Sequence, residues 1–282
     1  MTAERTYRFR DGKKLTLGGR TLVMGILNVT PDSFSDGGRW NTRDSALRHM
    51  EEMVRDGADI IDIGAESSRP GFVPMSAAEE MERLLPFLET ILAECPVPVS
   101  VDTFKAETAR AALSAGTHML NDIWGLQYAE EAGAMARVAA EADAPVVVMH
   151  NQNGTAYSGD IIGEMRTFFA CAFAHADAAG LARENLILDP GIGFGKTAEQ
   201  NMHVLRRMDE LISYDGTDYP VLLGASRKSF IGAALDLPVT ERMEATGAAC
   251  VMGIERGASI VRVHDVKPIV RMCRMTDAIL GA

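Results

Sequence analysis

The sequence predicts a (β/α)8 barrel preceded by a β-hairpin, in one α/β domain over residues 1–282. Three observations lead there. Runs that are apolar throughout recur along the chain, separated by amphipathic stretches. Unbroken apolar runs are the mark of parallel strands buried on both faces. No linker or composition break interrupts this rhythm, and the length suits a barrel of about 250 residues. Finally, polar residues gather at the C-terminal ends of the apolar runs, the end at which barrels build their sites.

Taken in order, residues 6–17 alternate around Asp11-Gly12, a strong hairpin signal. The hairpin is expected to plug the N-terminal mouth of a barrel covering 20–282. Strands are predicted at 21–28, 58–63, 97–102, 117–122, 145–150, 185–189, 220–224 and 258–264. Helices are predicted at 42–56, 76–94, 105–115, 129–142, 160–180, 198–213, 240–256 and 267–280. A doubly wound open sheet is the competing arrangement, but its phosphate-binding glycines follow the first strand, and the Gly-x-Gly pieces here come late. Gly191-Ile-Gly-Phe-Gly-Lys-Thr197 is not a P-loop, because Pro190 stands where that motif needs glycine. It is expected to be a bend that brings Phe194 and Lys196 over the mouth.

A formal net charge of −11 argues against nucleic-acid or basic membrane-surface binding, which need a cationic face. It leaves room for an anionic substrate held by a few local Arg and Lys. Four cysteines without C-x-x-C spacing read as reduced thiols of a cytoplasmic protein. The N-terminus lacks the apolar core of a signal peptide. No uncharged apolar run reaches the roughly 18–20 residues that cross a bilayer.

The strand ends carry Asn28, Asp102, Asn121 with Asp122, His150, Asp189, and Arg262 with His264, while Ser226-Arg-Lys-Ser229 follows another strand. So many strand ends in agreement indicate an enzyme or a small-molecule binder. Asp102, Asn121, Asp189 and Lys228 suit a flat heterocycle whose edge alternates N–H donors and acceptors. Arg262 and His264, on the last strand, suit a phosphate. Asn28 offers a hard oxygen to Mg2+ carried in with substrate phosphates. The loops 29–38 and 64–73 are expected to be lids over the mouth, with Asp36 and Arg69 pairing when both close.

The segments LNVTPDSFSDGG, DIGAESSRPG, VDTFKAETARAAL, LILDPGIGFGK, GASRKSFIG and RVHDV resemble the signature segments of the dihydropteroate synthase family. The resemblance runs from about residue 20 to 275, nearly the whole chain. It implies a barrel that condenses 6-hydroxymethyl-7,8-dihydropterin diphosphate with 4-aminobenzoate, a folate-biosynthetic step and the target of sulfonamides. It further implies that Asp102, Asn121, Asp189 and Lys228, with Ile123 and Met149, hold the pterin. Asn28, Ser68, Arg262 and His264 would hold the diphosphate, Asn28 through Mg2+. Ser68 stands where the family usually has Thr, so the hydroxyl is kept and the methyl lost. Phe34, Pro70, Phe194, Lys228 and Ser229 would surround the aminobenzoate. Asp102, Asp36, Arg69 and Lys228 are the expected catalytic residues, in a dissociative substitution through a cation-like pterin methylene. A homodimer is implied, built through the late helices. The rival readings are a pterin barrel that transfers a methyl group from methyltetrahydrofolate and a non-catalytic pterin-binding paralogue. Arg262, His264 and Ser226–Ser229 count against the first.

Overall fold

The computed structural model describes residues 4–30, 43–66 and 74–281. Strands β1 (Arg5–Arg8) and β2 (Lys14–Leu17) form an antiparallel hairpin, with Arg5 opposite Leu17 and Arg8 opposite Lys14. Eight parallel strands close the barrel: β3 (Leu22–Asn28), β4 (Ile60–Gly64), β5 (Val99–Asp102), β6 (Met119–Asp122), β7 (Val146–Met149), β8 (Leu186–Asp189), β11 (Val221–Leu223) and β12 (Ala258–Val263). A short antiparallel pair, β9 (Ser213–Tyr214) and β10 (Thr217–Asp218), precedes β11. The closure is uneven. Strand β8 meets β11 through the single register pair Leu188–Val221, and the β11–β12 register shifts between Val221 and Leu222.

The helices are α1 (Arg43–Arg55), α2 (Ala77–Glu94), α3 (Ala106–Ala115), α4 (Ala134–Ala142), α5 (Ile161–Ala179), α6 (Ala198–Arg206), α7 (Ser229–Leu235), α8 (Met243–Glu255) and α9 (Val266–Leu280). Helix α2 opens on a capping box between Ser76 and Glu79, and α6 on one between Thr197 and Gln200. Two helices differ from expectation. The stretch predicted as 198–213 stops at Arg206 and continues as a 3-10 turn, Met208–Leu211. Arg207 at that break is bound to both Asp160 and Glu210. After β11 the chain forms α7 as well as α8, a split set by Asp236 in the left-handed region (φ 54°) and Pro238 just beyond. No helix among the described residues is long and apolar enough to cross a membrane.

The barrel interior explains the hairpin. Leu22, Met24, Ile60, Met119, Val147, Ile187, Leu222 and Ile260 form one buried cluster, and Tyr7, Leu15 and Leu17 complete it from below. The Tyr7 hydroxyl donates to the Glu184 carbonyl at 2.8 Å, and Asp11 accepts from His118 at 3.0 Å, fixing the plug to the barrel rim. Side chains two residues further along each strand point to the same face. Ile60 therefore leads to Asp62, Met119 to Asn121, Ile187 to Asp189 and Ile260 to Arg262. The interior changes from apolar to polar in one step toward the C-terminal mouth.

Candidate active site

Asp62 is the centre of that polar layer and is fully buried. Its Oδ2 accepts from Arg262 Nε at 2.6 Å and from Asn121 Nδ2 at 3.1 Å. Arg262 Nη2 donates to Asp102 Oδ2 at 2.7 Å, so one guanidinium bridges two carboxylates. The remaining Asp62 Oδ1 and Asn121 Oδ1 are buried and have no hydrogen-bond partner among the described residues. A buried acceptor without a partner is costly, and two side by side leave hydrogen-bonding capacity that N–H donors would satisfy.

Across the barrel, Asp189 Oδ1 accepts from the Gly191 N–H at 2.7 Å. Lys228 Nζ donates to the Ile192 carbonyl and lies 4.5 Å from the centre of the Phe194 ring. Both groups lie beside Gly224, at 3.7 Å (Lys228 Nζ) and 3.9 Å (Asp189 Oδ2) from where a Cβ would stand, an ordinary contact distance. Gly64 is tighter: an added Cβ would press on the Asp102 Cβ at 3.3 Å, with Asn28 Oδ1 at 3.8 Å. His264 is held through Nδ1 by the Ser226 hydroxyl at 3.0 Å. Arg227, in the left-handed region at φ 57°, grips Asp265 with two N–H groups and so ties the β11 loop to the start of α9. Ile123, Met149 and Phe104 form a small apolar cluster against which Phe194 packs.

Burial pushes the Asp102 carboxyl up to about 7, against the pull of Arg262 and helped by Asp62. Burial also raises Asp189, with Lys228 opposing it. The Lys228 ammonium is pushed down to about 8 by burial, despite Asp189. Burial works against charge on Arg262 too, but Asp62 and Asp102 outweigh it and hold the guanidinium above its ordinary pKa. Three carboxylates thus share the layer with two cations, and groups so perturbed in one cleft are those expected of a functional site. Among the described residues no cluster of three His, Cys, Asp or Glu is arranged to hold a metal. The arrangement can bind a polar heterocycle edge on one side and an anion beside Arg262 and His264.

A family model described as pterin binding enzyme matches residues 24–264. The chain is 51% identical over 262 residues to dihydropteroate synthase of Bacillus subtilis, covering 93% of this chain and 90% of that protein. A crystal structure of dihydropteroate synthase from Clostridium difficile in the presence of pteroic acid superposes with a TM-score of 0.88 at 48% identity, covering 93% of this chain and 98% of that one. Another, from Xanthomonas albilineans with 4-aminobenzoic acid, gives 0.89 at 38% identity, covering 99% and 100%. The chain belongs to the dihydropteroate synthase family.

Of the residues expected from sequence, Asn28, Asp102, Asn121, Asp189, Lys228, Arg262 and His264 converge on this mouth, with Ile123, Met149 and Phe194 along one wall. Ser229 opens α7 and is exposed. Phe34, Asp36, Ser68, Arg69 and Pro70, and with them the expected lid pair, lie outside the described residues. One expectation needs correction. Lys196 does not reach over the mouth; it is buried and turned against His150. Sequence reading also missed Asp62. Its signal was there: an Asp in the apolar run Ile-Ile-Asp-Ile-Gly, two residues before a strand end.

Proposed function

We propose that this chain condenses (7,8-dihydropterin-6-yl)methyl diphosphate with 4-aminobenzoate, giving 7,8-dihydropteroate and diphosphate. The observation that carries the reading is the pairing, in one mouth, of open carboxylate and amide oxygens with a guanidinium. Asp189, Asn121 and the free Asp62 Oδ1 would accept from the pterin N–H edge, and Lys228 would donate to its ring acceptor. Two of the five Arg262 N–H groups are engaged by Asp62 and Asp102. The others, with His264, would balance charge developing on the departing diphosphate. Asn28, whose Oδ1 is a hard oxygen lining the mouth beside Gly64, would hold Mg2+ carried in with the diphosphate. When bound, that ion would neutralise diphosphate charge.

The methylene C–O bond breaks first, its electron pair leaving with diphosphate. Asp102 would stabilise the resulting cation without attacking it. The aminobenzoate nitrogen then forms the C–N bond and releases one proton. The neutral aromatic amine is a weak nucleophile, which suits capture of a cation. Phe194 and Lys228 would flank that second substrate.

The same reading makes the enzyme a cytosolic homodimer. Free thiols at Cys95, Cys171, Cys250 and Cys273 support a reducing compartment. Exposed apolar side chains on the packed pair α8 and α9, including Val251, Met252, Met275 and Ile279, support a face for a second copy. The deciding experiment measures diphosphate release with and without 4-aminobenzoate, and dihydropteroate in the same reaction. One-to-one products only when both substrates are present is the expected result. Diphosphate release with no dihydropteroate would exclude the condensation.

A further inference from the structure

A second buried pair lies beside the mouth, and the condensation does not use it. Lys196 and His150 are 8% and 3% exposed. Lys196 Nζ lies 2.9 Å from His150 Nδ1, 3.1 Å from the Gly191 carbonyl and 3.0 Å from the Phe194 carbonyl. Burial presses the Lys196 pKa down to about 7, against the pull of Asp189. In its ammonium form it has three N–H donors, and each has one acceptor here. Two acceptors are the ends of the Gly191–Phe194 bend, and the third follows β7. Burial, and then the Lys196 charge, press the His150 pKa down to about 2, which keeps the imidazole a neutral acceptor.

The bend has almost no freedom. An added Cβ at Gly191 (φ 64°) would stand 1.9 Å from the His150 carbonyl oxygen. One at Gly195 (φ 56°) would stand 2.8 Å from the Gln152 carbonyl oxygen. One at Gly193 would meet Lys228 Cδ at 2.7 Å, so the Lys228 stem rests on a bare backbone. Three contacts of the site hang from this bend: the Gly191 N–H on Asp189, the Ile192 carbonyl on Lys228, and the Phe194 ring beneath the Lys228 ammonium. The opposite wall has a separate support, because Asp62 holds Arg262 and Asn121 directly. Slack in the bend would therefore displace Lys228 and Phe194 and leave that wall unchanged.

We propose that Lys196, clasped by His150, is a positioning residue that sets the bend bearing Phe194, and so governs the aminobenzoate half of the ligand more than the pterin half, which the Asp62–Asn121 wall also holds. The inference rests on the condensation read above. Lys196→Met removes all three donors with little change in length. His150→Phe removes one acceptor and keeps a ring among its neighbours Tyr157, Phe168 and Phe169. Calorimetry with pteroic acid and with 6-hydroxymethylpterin separates the two halves of the ligand. Lys196→Met should lose about tenfold in affinity for pteroic acid and less than about threefold for the pterin alone, with His150→Phe weaker in the same direction. Steady-state kinetics should show KM for 4-aminobenzoate rising more than kcat falls. Unchanged pteroic acid affinity in a folded variant, or an equal loss for both ligands, overturns the positioning role. Because binding is read without turnover, these results stand apart from the product assay, where absence of dihydropteroate from wild type sinks the reaction instead.

Discussion

Asp62 makes two hydrogen bonds with one oxygen and keeps the other buried with no partner among the described residues. An Asn there can keep both bonds through its carbonyl oxygen, but puts an NH2 group where the free acceptor was. Asp62→Asn should therefore leave the melting temperature close to wild type and weaken pterin binding by about 1–3 kcal/mol, roughly 5- to 150-fold. Calorimetry with a pterin ligand checks it, and unchanged affinity would take Asp62 off the ligand edge. Asp102, Asn121, Asp189 and Arg262 were legible in the sequence because each ends an apolar run, where polar side chains have few purely structural uses. Asp62 was not, because it lies one inward step deeper and is flanked by isoleucines. Lys196 was misread for the opposite reason. A lysine after a glycine-rich stretch looks solvated until the fold supplies three acceptors around it.

At the scale of single elements, the bend after β8 and the turn after β6 make separable predictions. Gly191→Ala drives a methyl into the His150 carbonyl, and should cost about 3 kcal/mol or more as well as activity. Gly154 also has a positive φ, 79°, but nothing lies within 4 Å of its added Cβ. Gly154→Ala should cost only the left-handed strain of about 1 kcal/mol, and paired thermal melts compare the two. Asp122 accepts from the Trp124 and Leu126 N–H groups at 2.8 and 2.7 Å. Burial nevertheless raises its carboxyl to about 7. The folded state thus holds this proton to higher pH than the unfolded chain does. The associated stability is full below the ordinary carboxylate range and is lost as pH rises toward 7. Relative to Asp122→Asn, which does not titrate, wild type should lose about 2–3 kcal/mol between about pH 5 and pH 8. A constant difference across that range would contradict it. The strands were readable because burial on both faces writes unbroken apolar runs. The α7–α8 split was not, since the break at Asp236 depends on a left-handed residue that carries no periodic signal.

In the molecule as a whole, the two barrel ends divide the work of folding and of binding. Leu17 of the plug is fully buried in the apolar layer. Leu17→Ala should remove about 3 kcal/mol of stability by leaving a cavity, with KM for both substrates unchanged. A matching rise in KM would mean that the two ends communicate. The hairpin was legible from Asp11-Gly12 and its flanking alternation. Its fit into the barrel floor was not, because that floor is assembled from strands far apart in sequence.

The barrel's narrowest closure, the single β8–β11 register pair, lies between the strands that lead to Asp189 and Lys228. A cylinder of strands opens most readily at its shortest seam, and backbone amides near such an opening exchange with deuterium soonest. Amides of 186–189 and 221–223 should therefore exchange fastest among the barrel strands of the empty protein. A ligand bridging Asp189 and Lys228 would staple the seam from above, and protection there should rise more than at β3–β4, which is paired over five positions. Uniform protection around the ring would show that closure does not depend on occupancy. Slowed exchange confined to this seam would mean that the substrate serves as the barrel's last rung.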